Sequence, residues 1–124
     1  MTDRKILVVE DDPATCQLIG QILKPTGAVV EFDFDGVDAL TSLVRSTPDL
    51  IILDIALPRL DGWHVLDALR RRGVATEVPV IVITAHGQGS AADRALTGGA
   101  DRFFEKPFVP SELLEAVEEL LPTD

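Results

Sequence analysis

The sequence predicts an α/β fold, a doubly wound parallel sheet in which five strands alternate with five helices, and three observations support this. Short apolar runs such as KILVV, LIIL and VIVIT lack polar alternation, as strands buried on both faces do. Longer amphipathic stretches separate them, each long enough for the crossover of about a dozen residues that parallel neighbours need. Turn pairs such as Asp-Pro, Asp-Gly and Gly-Gly punctuate most of the junctions.

Taken in order, Lys5 to Val9 is a buried strand, and Asp12 then caps a helix with Pro13 at its first position. Leu18, Ile19, Ile22 and Leu23 supply that helix with an apolar stripe. AVVEFDF, Ala28 to Phe34, is the most polar strand and alternates toward its end, as an edge strand covered on one side would. Asp35-Gly36 ends it and VDALTSLV forms the second helix. LIIL, Leu50 to Leu53, is a fully buried strand, and GWHVLDALRRR is a helix whose terminal arginines suit the negative end of its dipole. Val78 to Thr84 is the third buried run. After Gly87 to Ser90, AADRALT makes a short helix ended by Gly98-Gly99. Arg102 to Glu105 is the last strand and SELLEAVEELL the last helix. No repeat, low-complexity segment or linker interrupts the series, so residues 1–124 read as one domain.

Composition narrows the function. The formal charge is −10, from 21 acidic and 11 basic residues, and that sign repels phosphate backbones and anionic lipid, so direct nucleic-acid binding is not expected. Hydrophobic residues make up 46% and charged ones 26%, the balance of a soluble globular protein, and with aromatics at 5% the core must be aliphatic. Cys16 has no partner cysteine, and MTDRKILVVEDD is too polar and acidic for a signal peptide, which leads to the expectation of a reducing, cytoplasmic setting. No apolar run approaches the roughly 20 residues of a membrane span.

In doubly wound sheets ligands bind beyond the carboxyl ends of the strands, where strand order reverses. Those ends carry Glu10, Asp11 and Asp12 after the first strand, Asp54 after the third, Thr84 after the fourth and Lys106 after the fifth. Clustered carboxylates repel one another unless a cation or a shared proton intervenes. All the candidate ligands are oxygens and no Cys or His pair has zinc spacing, so a hard cation such as Mg²⁺ fits better than zinc. Mg²⁺ held by one or two carboxylates is typical of phosphoryl chemistry. A hydroxyl on Thr84 and an ammonium on Lys106 can then bind phosphoryl oxygens while Asp54 attacks in line. Asp12 is read instead as the helix cap, and Cys16 as a helix residue at or near the core.

From Lys5 to Leu121 the sequence resembles the receiver domain of two-component response regulators, through ILVVEDD, LDIALPRLDG, VIVITA and FFEKPF in order and spacing. The resemblance implies a flavodoxin-like sheet of order 2-1-3-4-5, with Glu10 and Asp11 as the acidic pair for Mg²⁺ and Asp54 as phosphoacceptor. It further implies Thr84 and Lys106 as phosphoryl-binding residues, a cis bond before Pro107, and the main-chain carbonyl of Ala56 as a metal ligand. The switch aromatic falls on Phe103, which has no hydroxyl, so switching there would rely on ring packing. The implied partners are a sensor histidine kinase or a histidine phosphotransfer protein and a downstream effector protein, with catalysis confined to self-phosphorylation and slow dephosphorylation.

Rival readings fit less well. A haloacid-dehalogenase-type phosphatase would want a second Asp where Ala56 stands, and an FMN-binding flavodoxin would need a glycine and hydroxyl loop where EDD stands. An unphosphorylated docking module of the same shape is the remaining alternative. His64 and His86 could carry phosphate only in a different, helical-bundle context, although His86 could sit at the mouth of the site and influence water access. The last helix carries Glu112, Glu115, Glu118 and Glu119 without a basic residue, so a monomer is expected before phosphorylation, with a more basic partner for that face.

Overall fold

The computed structural model describes residues 3–73, 77–85 and 91–122. Its strands are β1 (Lys5–Val9), β2 (Val29–Asp33), β3 (Leu50–Asp54), β4 (Val80–Thr84) and β5 (Arg102–Glu105). The helices are α1 (Pro13–Leu23), α2 (Gly36–Arg45), α3 (Gly62–Arg70), α4 (Ala91–Thr97) and α5 (Pro110–Leu120). All strand pairs are parallel and the order is β2-β1-β3-β4-β5, the flavodoxin-like arrangement expected. The chain crosses outward from β1 to β2, then back over β1 to β3, so the order reverses between β1 and β3 and opens a crevice at their carboxyl ends.

Alternation along each strand sorts the core into two layers. Leu7, Val9, Ile51, Leu53, Val80 and Val82 face α2, α3 and α4, where Leu43, Leu66, Leu69 and Ala95 meet them. Ile6, Val8, Leu50, Ile52, Ile81 and Ile83 face α1 and α5, against Ile19, Leu23, Leu113 and Val117. The β3 and β4 strands are buried at every position, as their unbroken apolar runs predict, while β2 lies at the edge and alternates. One expectation fails: Leu18 is 43% exposed, so the buried stripe of α1 is Cys16, Ile19 and Leu23, with Ile22 only partly covered. Leu18 looks apolar in sequence yet lies off that face, because at about 3.6 residues per turn it points well away from the direction that Cys16, Ile19 and Leu23 share.

The caps follow side-chain chemistry. Asp12, Asp35 and Asp61 each accept the backbone N–H three residues on, opening α1, α2 and α3. α5 begins with Pro110 at its first position and no side-chain cap, one residue before the predicted start. No helix among the described residues is long and apolar enough to cross a membrane.

Candidate functional site

Glu10 lies one residue beyond β1, and its backbone N–H donates to the Asp33 carbonyl of β2 at 3.0 Å. The side chain is 1% exposed. Its Oε2 accepts the Asp12 N–H at 3.0 Å, and its carbonyl accepts the Cys16 thiol at 3.3 Å. Burial pushes that thiol up to about 11, which keeps it protonated and a donor. Cys16 therefore fixes the Glu10 main chain, a contact that sequence reasoning could not anticipate. Asp12 is the cap it was expected to be: its Oδ2 accepts both the N–H and the hydroxyl of Thr15, at 3.0 and 2.6 Å. Those bonds hold its carboxyl below the usual range.

Asp54 closes β3 with its side chain 3% exposed. One carboxylate oxygen accepts the Ala56 N–H at 3.1 Å and the other accepts Lys106 Nζ at 2.9 Å. Lys106 follows β5 directly, and its backbone N–H is anchored to the Thr84 carbonyl at 2.8 Å. Its Nζ also lies 2.6 Å from Glu10 Oε1, and its bond to Pro107 is cis. Thr84 is buried at the end of β4, one residue past Ile83, which is the register partner of Asp54. Glu10, Asp11, Asp54 and Lys106 thus come together, Thr84 reaches the same sheet edge, and Ala56 sits in the turn that follows Asp54.

Carboxylate oxygens of Glu10, Asp11 and Asp54 lie within 4.8 Å of one another, with Asp11 exposed above the other two. This all-oxygen, acidic donor set fits a hard divalent cation. Three carboxylates face one ammonium here, and Glu10 is the most deeply covered of them. Burial pushes its carboxyl up to about 7, and the bonds from Lys106 and the Asp12 N–H pull it back only in part. For Lys106, partial burial works against the ammonium, but the bonds to Glu10 and Asp54 outweigh it and raise its affinity for the proton.

The loop after Asp54 is built by hydrogen bonds to its own backbone. The Ile55 carbonyl accepts both the Leu57 and the Gly62 N–H, at 3.0 and 2.8 Å, closing residues 55–62 into a loop. Within it Arg59 has φ +67°, and the Leu60 N–H donates to the Pro58 carbonyl at 2.7 Å. That is a γ-turn of the positive-φ kind, whose left-handed centre strains a residue with a Cβ by of order 1–2 kcal/mol. Arg59 Nη1 reaches Asp35 Oδ2 at 3.0 Å, while Asp35 Oδ1 caps α2. Neither Arg59 nor its partner was a candidate from sequence, where LPRLDG and the Asp35-Gly36 pair read simply as turns.

The remaining candidates lie apart from this cluster or outside view. Phe103 of β5 is partly buried against the core layer of α2, α3 and α4. His64 is exposed on α3, with Nδ1 2.9 Å from Asp61 Oδ1. His86 and the Gly87 to Ser90 stretch fall outside the described residues.

Comparison with known proteins agrees with this geometry. Residues 6–118 match the model of the response regulator receiver domain family. The chain is 39% identical over 117 residues to the response regulator MprA of Mycobacterium tuberculosis H37Rv, covering 94% of this chain and 50% of that protein. It is 38% identical over 117 residues to the DNA-binding dual master transcriptional regulator RpaA of Synechocystis sp. PCC 6803, covering 94% of this chain and 48% of RpaA. The chain thus spans about half the length of these relatives. Among solved structures, the receiver domain of the sensor histidine kinase PA1611 from Pseudomonas aeruginosa PAO1, with a magnesium ion in its active site cleft, superposes with a TM-score of 0.85. It is 30% identical, over 96% of this chain and 98% of that one.

Proposed function

The chain belongs to the response regulator receiver family of two-component systems, and from that premise we propose that Asp54 is its phosphoacceptor. The observation that carries the reading is the Asp54 carboxylate, buried at the switch point with one oxygen on the Ala56 N–H and the other on the Lys106 ammonium. An Asp54 oxygen attacks the phosphorus of a phosphohistidine on a sensor kinase or histidine phosphotransfer protein. The P–N bond breaks and its electron pair returns to the imidazole. The Lys106 ammonium and the Thr84 hydroxyl take two oxygens of the incoming group.

The carboxylates of Glu10, Asp11 and Asp54 and the carbonyl of Ala56 would hold Mg²⁺, as the 4.8 Å carboxylate cluster and the magnesium in the PA1611 receiver support. Mg²⁺ supplies charge neutralisation for the transferring group. The phosphoryl group adds negative charge where Lys106 now bonds Asp54, and Lys106 follows β5 directly, so the change passes to the face of α4, β5 and α5. Phe103 takes part through ring packing. Catalysis is limited to the domain's own phosphorylation and slow hydrolysis. The effector is a protein that reads the altered face, since a chain of net charge −10 is a poor match for nucleic acid.

Acetyl phosphate with Mg²⁺ tests the reading: mass spectrometry should find one added phosphoryl group, and Asp54→Asn should abolish it. Absence of that adduct on the wild-type protein, together with no complex with beryllofluoride, would leave only a docking module of receiver shape.

A further inference from the structure

The Arg59 turn is under backbone strain that a glycine would relieve, which raises the question of what an arginine gains there. We infer that the Arg59–Asp35 ion pair is a positioning tie that holds the loop carrying Ala56 in the shape the Asp54 site uses. The inference rests on the phosphoacceptor reading and names a further pair of residues for it.

Four observations carry it. Among the described residues Arg59 is the one non-glycine with positive φ, and its side chain is 57% exposed, so burial of the side chain does not explain its place. Its partner is well covered: the Asp35 side chain is 12% exposed, with Oδ1 committed to the Asp38 N–H and Oδ2 to the guanidinium. The two loops also touch through their backbones, because a Cβ on Gly36 would stand 2.0 Å from the Leu60 carbonyl oxygen. Finally, the strained turn is linked to the site through bonded neighbours. Ile55 O accepts the N–H groups of Leu57 and Gly62, and the Ala56 N–H between them donates to Asp54 Oδ1 at 3.1 Å. A loop closed in this way transmits a displacement at residue 59 to residue 56, and small displacements of positioned groups have large effects on reaction.

The test uses Arg59→Gly, which removes the tie and relaxes the turn, and Asp35→Asn, which keeps the helix cap but loses the charge. Mg²⁺ affinity is read by calorimetry, and phosphorylation rate is read against acetyl phosphate concentration, at a temperature where every variant is folded. Each single variant should weaken Mg²⁺ binding by about fivefold and slow phosphorylation at a temperature where it is folded, and the double variant should be no worse than either. A structural tie without a positioning role would instead lower the thermal midpoint and leave affinity and rate alone. Affinities and rates within twofold of wild type, or losses that add in the double variant, overturn the tie and leave the phosphoacceptor reading intact. A wild-type protein that neither binds Mg²⁺ nor accepts phosphoryl overturns both.

Discussion

Lys106 Nζ stands 2.9 Å from Asp54 Oδ2, and the same ammonium is 2.6 Å from Glu10 Oε1. One cation thus serves two carboxylates that are almost fully covered. Replacing Lys106 by alanine leaves both uncompensated, and breaking a buried pair in this way costs several kcal/mol when the orphaned charge cannot be neutralised. Here Glu10 is already disposed to hold a proton, which limits the loss. Lys106→Ala should therefore stay folded, be destabilised by about 2 kcal/mol without divalent cation and recover part of that with Mg²⁺. It should also respond less to phosphorylation. Urea titrations with and without Mg²⁺ check this, and an unfolded variant would show Lys106 to be chiefly structural.

Asp11 differs from Glu10 and Asp54 in being exposed, and it is absent from the hydrogen bonds described for those two. Its removal should leave the fold within about 0.5 kcal/mol of wild type. Mg²⁺ affinity should nevertheless fall by about tenfold or more in Asp11→Ala, because a hard cation with few protein ligands loses one of them. Calorimetry measures it, with Trp63 fluorescence as a second reporter. An unchanged affinity would remove Asp11 from the metal site.

Gly62 opens α3 so close to β3 that a Cβ there would lie 2.4 Å from the Asp54 carbonyl oxygen and 2.6 Å from Ile55 Cα. Both obstacles are backbone, so the loop must move. Gly62→Ala should cost about 2–4 kcal/mol and weaken Mg²⁺ binding together with it. Gly20 in the middle of α1 is the control: its nearest neighbour to a Cβ would be Phe32 Cζ at 3.5 Å, an ordinary contact. Gly20→Ala should stabilise by about 0.5–1 kcal/mol. Paired thermal denaturation curves decide both.

The sheet was legible because β3 and β4 are apolar at nearly every position and polar residues gather where the strands stop. The gathering of the candidate site residues was legible for the same reason: Glu10, Asp54, Thr84 and Lys106 stand at or just past strand ends, and parallel strands bring their ends to one edge. Three features were not. The double role of Lys106 depends on a bond between residues 96 positions apart, which no local pattern encodes. The Arg59 tie depends on which of several arginines meets Asp35, and turn composition is silent on that. Leu18 was misplaced because it extends a run of apolar residues past the face that α1 buries.

Asp61 links pH to stability. Its partial burial works toward a higher value, but the bonds from the His64 N–H and ring outweigh it and leave the carboxyl below its usual 3.8. The unfolded chain therefore binds this proton more readily than the folded one, so stability rises with pH across that interval. The contribution is complete above the unfolded value and is lost as pH falls through the folded one. Asp61→Asn keeps the cap but cannot ionise, and at 44% exposure solvent screening keeps the difference small. Urea midpoints should favour wild type slightly at pH 7 and draw together in acid, as pH falls through the lowered folded-state value. A gap that persists unchanged into acid would assign it to the cap alone.

Assembly follows from charges that are already engaged. The exposed side of α5 presents Glu112, Glu115, Glu118 and Glu119, and a two-fold contact through it would face each acidic helix with its own copy. Arg94 of α4 and Arg102 of β5 could offset this in part, but neither guanidinium is idle. Arg94 stacks over the Trp63 ring at 4.1 Å, and Arg102 Nη1 bonds Glu119 Oε2 at 3.0 Å within the same chain. Recruiting either to a partner would break a contact it already makes, and the Arg102–Glu119 pair neutralises one of the four glutamates. The unphosphorylated protein should therefore be a monomer at micromolar concentration, with this face open to a more basic partner. Light scattering with and without beryllofluoride checks it. A dimer in the unmodified protein that Arg102→Ala leaves intact would defeat the electrostatic argument, whereas a dimer seen only with beryllofluoride would confine it to the resting state.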